Sequence, residues 1–284
     1  MIRHAFTAMG TEVELLLEAE DSSLLTEVEA EFRRLETVLS RFRSDSELAQ
    51  LNEAGHGHVG HELLELIELA LEARTASCGR FDPTVHDAVV AAGYDRSFEL
   101  LRDAGADPAA APPRVGGAIT IDRTTGRVAL EPGFRIDLGG IAKGWAADRA
   151  LAVLANAGPA LVNAGGDIAA TGRVWPIAVD AGAGKITLGL EDGGLATSGR
   201  DRRAWVRNGE ARHHLIDPAT GLPEESDVMT VTVAAGSACE AEVLAKTLFL
   251  AGDSQRALDE AELAGIPTVL GTSTGEVLLA GGLR

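Results

Sequence analysis

Glycine pairs next to carboxylates are the features of this chain best suited to chemistry. Arg135 to Asp148 reads RIDLGGIAKGWAAD, an apolar strand-like stretch ending in Asp137, then a Gly-Gly turn, then a helix. Such a turn points backbone N–H groups and the positive helix end at an anion, and the missing side chains permit close approach. Phosphate binding is the chemistry this spacing suggests. Val162 to Ile168, VNAGGDI, repeats the theme with Asp167 beside the glycines. Two such turns suit a ligand with two phosphates, or with one phosphate and a polar ring. Each alone also fits an ordinary turn.

Three further segments add reactive groups. In GRFDPTV, residues 79 to 85, Pro83 favours an extended Asp82 and aims its carboxylate rigidly; plain turn formation is the competing reading. In HHLIDPATG, His214 sits at a strand end and Asp217-Pro218 begins a turn closed by Gly221. A histidine there can act as a general base near neutral pH, or be a surface hairpin residue. His56, His58 and His61 in GHGHVGHE have a spacing that a transition metal can use. No second shell is evident to orient them, so adventitious binding competes.

The elements that must position these groups follow from periodicity. Residues 11 to 19 read as a first strand leaving a Met9-Gly10-Thr11 turn. Leu24, Leu25, Val28, Phe32, Leu35, Val38 and Leu39 form the stripe of a helix capped by Asp21 or Ser22. A shorter helix begins after Asp45 or Ser46, and another covers 61 to 78, stopped by Gly79. Residues 103 to 117, rich in Ala, Pro and Gly, read as a loop without catalytic groups. AITIDRTTGRVAL reads as a hairpin, and 141 to 156 as a helix closed by Gly158 and Pro159. Short strands are expected at 160 to 163, 174 to 179, 185 to 190, 204 to 207 and 211 to 216, the last two joined by an Asn208-Gly209 turn. A strand at 228 to 234, helices at about 238 to 251 and 254 to 264, and a β pair complete the chain. Helices and antiparallel hairpins alternate irregularly, which predicts an α+β fold in which residues 1 to 284 form one domain of two intimately packed halves without a linker.

Composition excludes several function classes. The 284 residues can bury a sizeable core, and 45% hydrophobic with 24% charged residues is an ordinary globular mix. A net charge of −18 argues against nucleic acid and against anionic membrane surfaces as partners. No apolar run approaches the ~20 residues of a spanning helix, and the first residues do not read as a secretion signal, so a cytoplasmic location is expected. Cys78 and Cys239 are far apart and indicate neither a disulfide framework nor a zinc site.

Taken together and in order, MGT at 9 to 11, LSRFRSDSELAQLN at 39 to 52, FDPTV at 81 to 85, DLGGIAKGWAAD at 137 to 148, NAGGDI at 163 to 168, LATSG at 195 to 199, HLIDPATG at 214 to 221 and AEVLAKTLF at 241 to 249 resemble the FAD:protein FMN transferase (ApbE-like) family over nearly the whole chain. The resemblance implies an α+β fold with FAD in a cleft between two halves. It implies Mg²⁺-dependent transfer of FMN from FAD to a Thr or Ser hydroxyl of a target flavoprotein, with release of AMP. A non-catalytic FAD-binding protein and an FAD pyrophosphatase giving FMN and AMP are the alternatives. Carried over by position, Met9, Phe42, Arg80, Phe81, Asp82, Asp137, Lys143 and Ile216 are expected to contact FAD, Phe42 standing where Tyr is frequent, and His214 is the candidate base. The resemblance also implies a metal held by the backbone carbonyl of Gly140 and by an Asp and a Thr four residues apart on a C-terminal helix. This chain has Glu242 and Lys246 there. A protonated Lys has no lone pair and cannot ligate Mg²⁺. Either the metal shifts, Lys246 supplies positive charge in its place, or the two residues form an ordinary i,i+4 pair.

Overall fold

Backbone pairing in the computed structural model, which describes residues 1–20, 22–96, 113–182, 184–207 and 209–283, is antiparallel throughout its main sheet. In chain order, β1 (Ile2–Ala8) and β2 (Thr11–Leu17) form a hairpin, followed by α1 (Ser23–Leu39), α2 (Glu47–Ala54), β3 (His56–His58) and α3 (His61–Ala76). A single 3₁₀ turn at Pro83–Val85 leads into α4 (His86–Ala91), and β4 (Ile119–Asp122) and β5 (Arg127–Leu130) form the next hairpin. Then come α5 (Ala142–Leu154), β6 (Ala160–Ala164), β7 (Asp167–Thr171), β8 (Trp175–Asp180), β9 (Lys185–Leu190) and β10 (Gly193–Gly199). The chain closes with β11 (Ala204–Arg207), β12 (Glu210–His213), β13 (Ile216–Asp217), β14 (Leu222–Pro223), β15 (Val228–Ala235), α6 (Ala238–Phe249), α7 (Ser254–Ala264), β16 (Thr268–Thr272) and β17 (Val277–Ala280). This is the α+β class expected from the sequence.

The chain divides into two compact units. Unit 1 comprises 1–35, 140–199 and 226–284; unit 2 comprises 36–139 and 200–225. Unit 1 is built on an eight-stranded sheet in the order β1-β2-β6-β7-β10-β15-β16-β17. Strict alternation in β2 puts Val13, Leu15 and Leu17 at 0% exposure on one face, so a one-residue slip in pairing would turn all three outward. Within this unit α5 approaches α6 so closely that a Cβ on Gly144 would lie 2.4 Å from the Ala238 carbonyl oxygen. Asp148, on α5, accepts the Ala238 and Cys239 N–H groups at 2.8 and 2.9 Å and so caps the start of α6. Unit 2 carries the β3-β5-β4 sheet, α2 to α4 and two small hairpins. Ser46 caps α2 by accepting the Ala49 N–H, as expected.

Several expectations change. β1, β3, β7, β10 and α4 were not foreseen, and the strand expected at 211 to 216 stops at His213. Asp21, residues 103 to 112 of the expected loop and Asn208 lie outside the described residues, while 113–117 has no regular structure.

Candidate active site

In unit 2, the segment before the first Gly-Gly turn is extended coil and not a strand. It is held by side chains from the LSRFRSDSELAQLN segment. Asn52 donates to the Ile136 carbonyl and accepts the Ile136 N–H, both at 2.8 Å. The Asp137 N–H donates to Pro83 O at 2.7 Å. Its carboxylate accepts the Gly139 N–H at 2.7 Å and pairs with Arg41 Nε at 2.9 Å. Arg41 is in turn stacked, its guanidinium carbon 4.1 Å from the Phe42 ring centre and 4.6 Å from that of Tyr94. Phe42 and Tyr94 lie 5.5 Å apart, and His214 presents its ring edge-on to Tyr94 at 6.5 Å. Unit 2 therefore gathers Asp137, Phe42 and His214 around two residues the sequence reading missed, Arg41 and Tyr94. The signal available was position: Arg41 precedes Phe42, and Tyr94 is the single tyrosine of the chain.

The other expected contacts of unit 2 have structural work of their own. Asp82 is extended, as predicted, at φ −141° and ψ 120°. Its Oδ1 accepts the Thr84 N–H and hydroxyl at 2.8 and 2.6 Å, and its Oδ2 pairs with Arg74 at 3.0 Å. It thus pins the turn and does not present an open carboxylate. Phe81 and Ile216 are buried at 2% and 1% exposure, so neither presents an open surface. Ile216 packs with Val85, Val89 and Tyr94. Arg80 is half-buried.

In unit 1 the second Gly-Gly pair proves to be different from expectation. Ala164 pairs with Asp167, which makes Gly165-Gly166 a two-residue hairpin turn between β6 and β7, with φ +70° and +105°. Its donors are consumed internally: Gly165 N–H goes to Glu12 O at 3.1 Å and Gly166 N–H to Asn163 Oδ1 at 2.9 Å. It is therefore not a backbone grip for phosphate. What it delivers is Asp167, buried at 4%, whose carboxylate pairs with Lys143 Nζ at 2.5 Å. Lys143 also bonds Glu242, and the second Glu242 oxygen accepts the Gly144 N–H at 2.8 Å. An anion at the first turn of α5 is favoured by the helix dipole, and Glu242 takes that place. Lys246, one turn further along α6, reaches over Gly140: a Cβ there would fall 2.5 Å from its Nζ. Met9 occupies the β1-β2 turn at φ +53°.

These residues do not fit a Mg²⁺ ion held by Gly140, Glu242 and position 246. The third donor is an ammonium, which carries no lone pair when protonated, and a second ammonium, Lys143, already bonds Glu242. Among the described residues no group of three or more His, Cys, Asp and Glu is placed to hold a metal. That corrects the histidine reading as well: His58 Nδ1 lies 3.0 Å from Thr125 O, and His61 lies 3.7 Å from Glu65 on its own helix.

The chain thus combines an antiparallel α+β scaffold with an ammonium–carboxylate cluster in one unit and, in the other, an arginine stacked on aromatic rings beside an Asp-anchored glycine turn. The sequence profile of the ApbE family matches residues 9–269, and the chain belongs to that family. It is 32% identical to a FAD:protein FMN transferase of Treponema pallidum (strain Nichols), covering 82% of this chain and 73% of that protein. It is 27% identical to one from Klebsiella pneumoniae (strain 342), covering 96% and 89%. Among solved structures, the ApbE protein from Thermotoga maritima superposes with a TM-score of 0.88 at 27% identity, covering 98% of this chain and 96% of that one. The flavin transferase ApbE from Vibrio cholerae superposes at 0.79 with 25% identity, covering 98% and 96%.

Proposed function

We propose that this chain is an FAD:protein FMN transferase, moving FMN from FAD to a Thr or Ser hydroxyl of a target flavoprotein and releasing AMP. The observation that carries the reading is family membership over nearly the whole length, with relatives named for this activity. In the reaction the acceptor oxygen forms a bond to the phosphorus of the FMN half, the bond from that phosphorus to the AMP oxygen breaks, and AMP leaves with the electron pair. The hydroxyl proton goes to His214. Little covalent chemistry falls to the protein, so positioning and charge stabilisation dominate. Lys143 is held rigidly by Asp167 and Glu242 and supplies a preorganised cation in unit 1. In unit 2 the exposed Phe42 ring, backed by Arg41 and Tyr94, offers a face for the isoalloxazine.

The names of the relatives favour transfer over FAD storage or hydrolysis. Among the described residues no helix is long and apolar enough to cross a membrane. Cytoplasmic placement is part of the same proposal. Incubation with FAD and a flavoprotein domain carrying an acceptor Thr should add one FMN mass to that domain and yield one AMP per transfer. His214→Ala should slow transfer by about a hundredfold or more while leaving FAD affinity within a few-fold. AMP release at an undiminished rate without an acceptor would make the chain a pyrophosphatase. Tightly retained, intact FAD would make it a carrier.

A further inference from the structure

The cluster formed by Lys143, Asp167, Glu242 and Lys246 in unit 1 carries charges that cancel: two carboxylates against two ammoniums. A site for a divalent ion normally holds net negative charge and several oxygen donors, because Mg²⁺ gives up its water reluctantly. Here each Glu242 oxygen already accepts a donor, Lys143 on one and the Gly144 N–H on the other. Asp167 is spent on the same Lys143. The ammonium of Lys246 stands over the Gly140 turn: a Cβ at 140 would fall 2.5 Å from its Nζ. The neighbouring hydroxyl, Thr247 Oγ1, is turned back onto its own helix, donating to Val243 O at 2.8 Å. Asp148, the single acidic residue of α5, is turned to the start of α6.

We propose that in this chain the Lys246 ammonium takes the place of a divalent cation, so that the diphosphate of FAD is bound and turned over without Mg²⁺. The proposal rests on the flavin reading above and deepens it. A covalently tethered cation differs from a bound ion in three ways that solution measurements separate. It needs no loading, it survives chelators, and it carries one charge in place of two.

Calorimetry on the unaltered, FAD-free protein tests the first point directly, and titration with MgCl₂ should give no saturable heat. FAD titrated in EDTA and in excess Mg²⁺ should show the same Kd within about twofold. Lys246→Thr restores a hydroxyl beside Glu242. This variant should take up Mg²⁺ with saturable heat, and its FAD affinity should fall about tenfold in EDTA and recover with Mg²⁺. Lys246→Met, with neither charge nor an oxygen donor, should lose about tenfold in FAD affinity that Mg²⁺ does not restore. Saturable Mg²⁺ uptake by the unaltered protein overturns the proposal, and so does loss of its FAD binding in EDTA. Those two arms use no variant, so misfolding of a substituted chain cannot blur them. If FAD binds under neither condition, the flavin reading fails, and the Mg²⁺ heats of the unaltered protein and Lys246→Thr still decide whether the lysine excludes the ion.

Discussion

Met9 adopts φ +53°, a region that costs a side-chain-bearing residue about 1–2 kcal/mol relative to glycine or asparagine. With Gly10 at +67° it completes a two-residue turn joining Ala8 to Thr11, the type that favours Asn-Gly. A strained methionine where asparagine would be comfortable suggests that the side chain is kept for contact with a ligand. Met9→Asn should therefore raise stability by about 1 kcal/mol, a gain of roughly 2–4 °C in thermal midpoint, and weaken FAD binding several-fold by flavin-fluorescence titration. A stabilised variant with unchanged affinity would reduce Met9 to a turn residue. Residue types were a fair guide to chemistry here but a poor guide to partners. Asp137, Lys143 and His214 stand out in the sequence because carboxylates, ammoniums and imidazoles beside glycines and turns are conspicuous. Arg41 and Asn52 do not, because their roles exist only through contacts with Ile136 and Asp137, and such long-range pairing leaves no local mark.

Helices were legible wherever one apolar stripe met a cap. α1 buries Leu25, Val28, Phe32 and Leu35 at 2% exposure or less, as its spacing demands. Strands buried on both faces were not. β7 reads DIAAT with four of five residues buried, so it lacks the alternation that marks a strand after the Gly165-Gly166 turn. β3 has no apolar residue at all and is defined only by pairing with β5. The approach of α5 to α6 was equally invisible, yet it sets the Lys143–Glu242 contact. Gly144→Ala tests it. On an open helix the change would gain about 1 kcal/mol. Here the added methyl meets the Ala238 carbonyl oxygen and the Cys239 nitrogen at 2.4 and 2.8 Å, an overpacking cost of about 1–3 kcal/mol. Net loss of stability together with a raised Kd for FAD is expected from denaturant unfolding and calorimetry. A stabilised variant would mean that the helices yield freely.

At the scale of the molecule, the seven histidines are the side chains whose ordinary pKa, ~6.5, falls between pH 5 and 8. Two of them are buried in unit 2. His213, 6% exposed, places Nε2 2.9 Å from Glu224 O, and its Nδ1 accepts the Leu215 N–H at 3.3 Å. The neutral ring thus uses one nitrogen as donor and one as acceptor, and a second proton would remove the acceptor. Burial, the largest cause, holds its pKa below the usual 6.5. His86 is lowered for the same leading reason, partly offset by its hydrogen bond to Asp87. A folded pKa below the unfolded one means that the unfolded chain binds more protons between the two values, so stability is complete above about pH 7.5 and declines as pH falls through 6.5 toward the folded values. Thermal midpoints measured from about pH 7.5 to 5.5 should fall, and His213→Gln should flatten that fall while costing stability at the upper end. An unchanged slope in the double variant with His86→Gln would assign the loss to other groups. The consequence reaches catalysis, because His214 follows His213 directly. Protonating His213 removes the acceptor of the Leu215 N–H, so acid should depress transfer through loosening of this strap, and in His213→Gln that part of the fall in kcat should be absent.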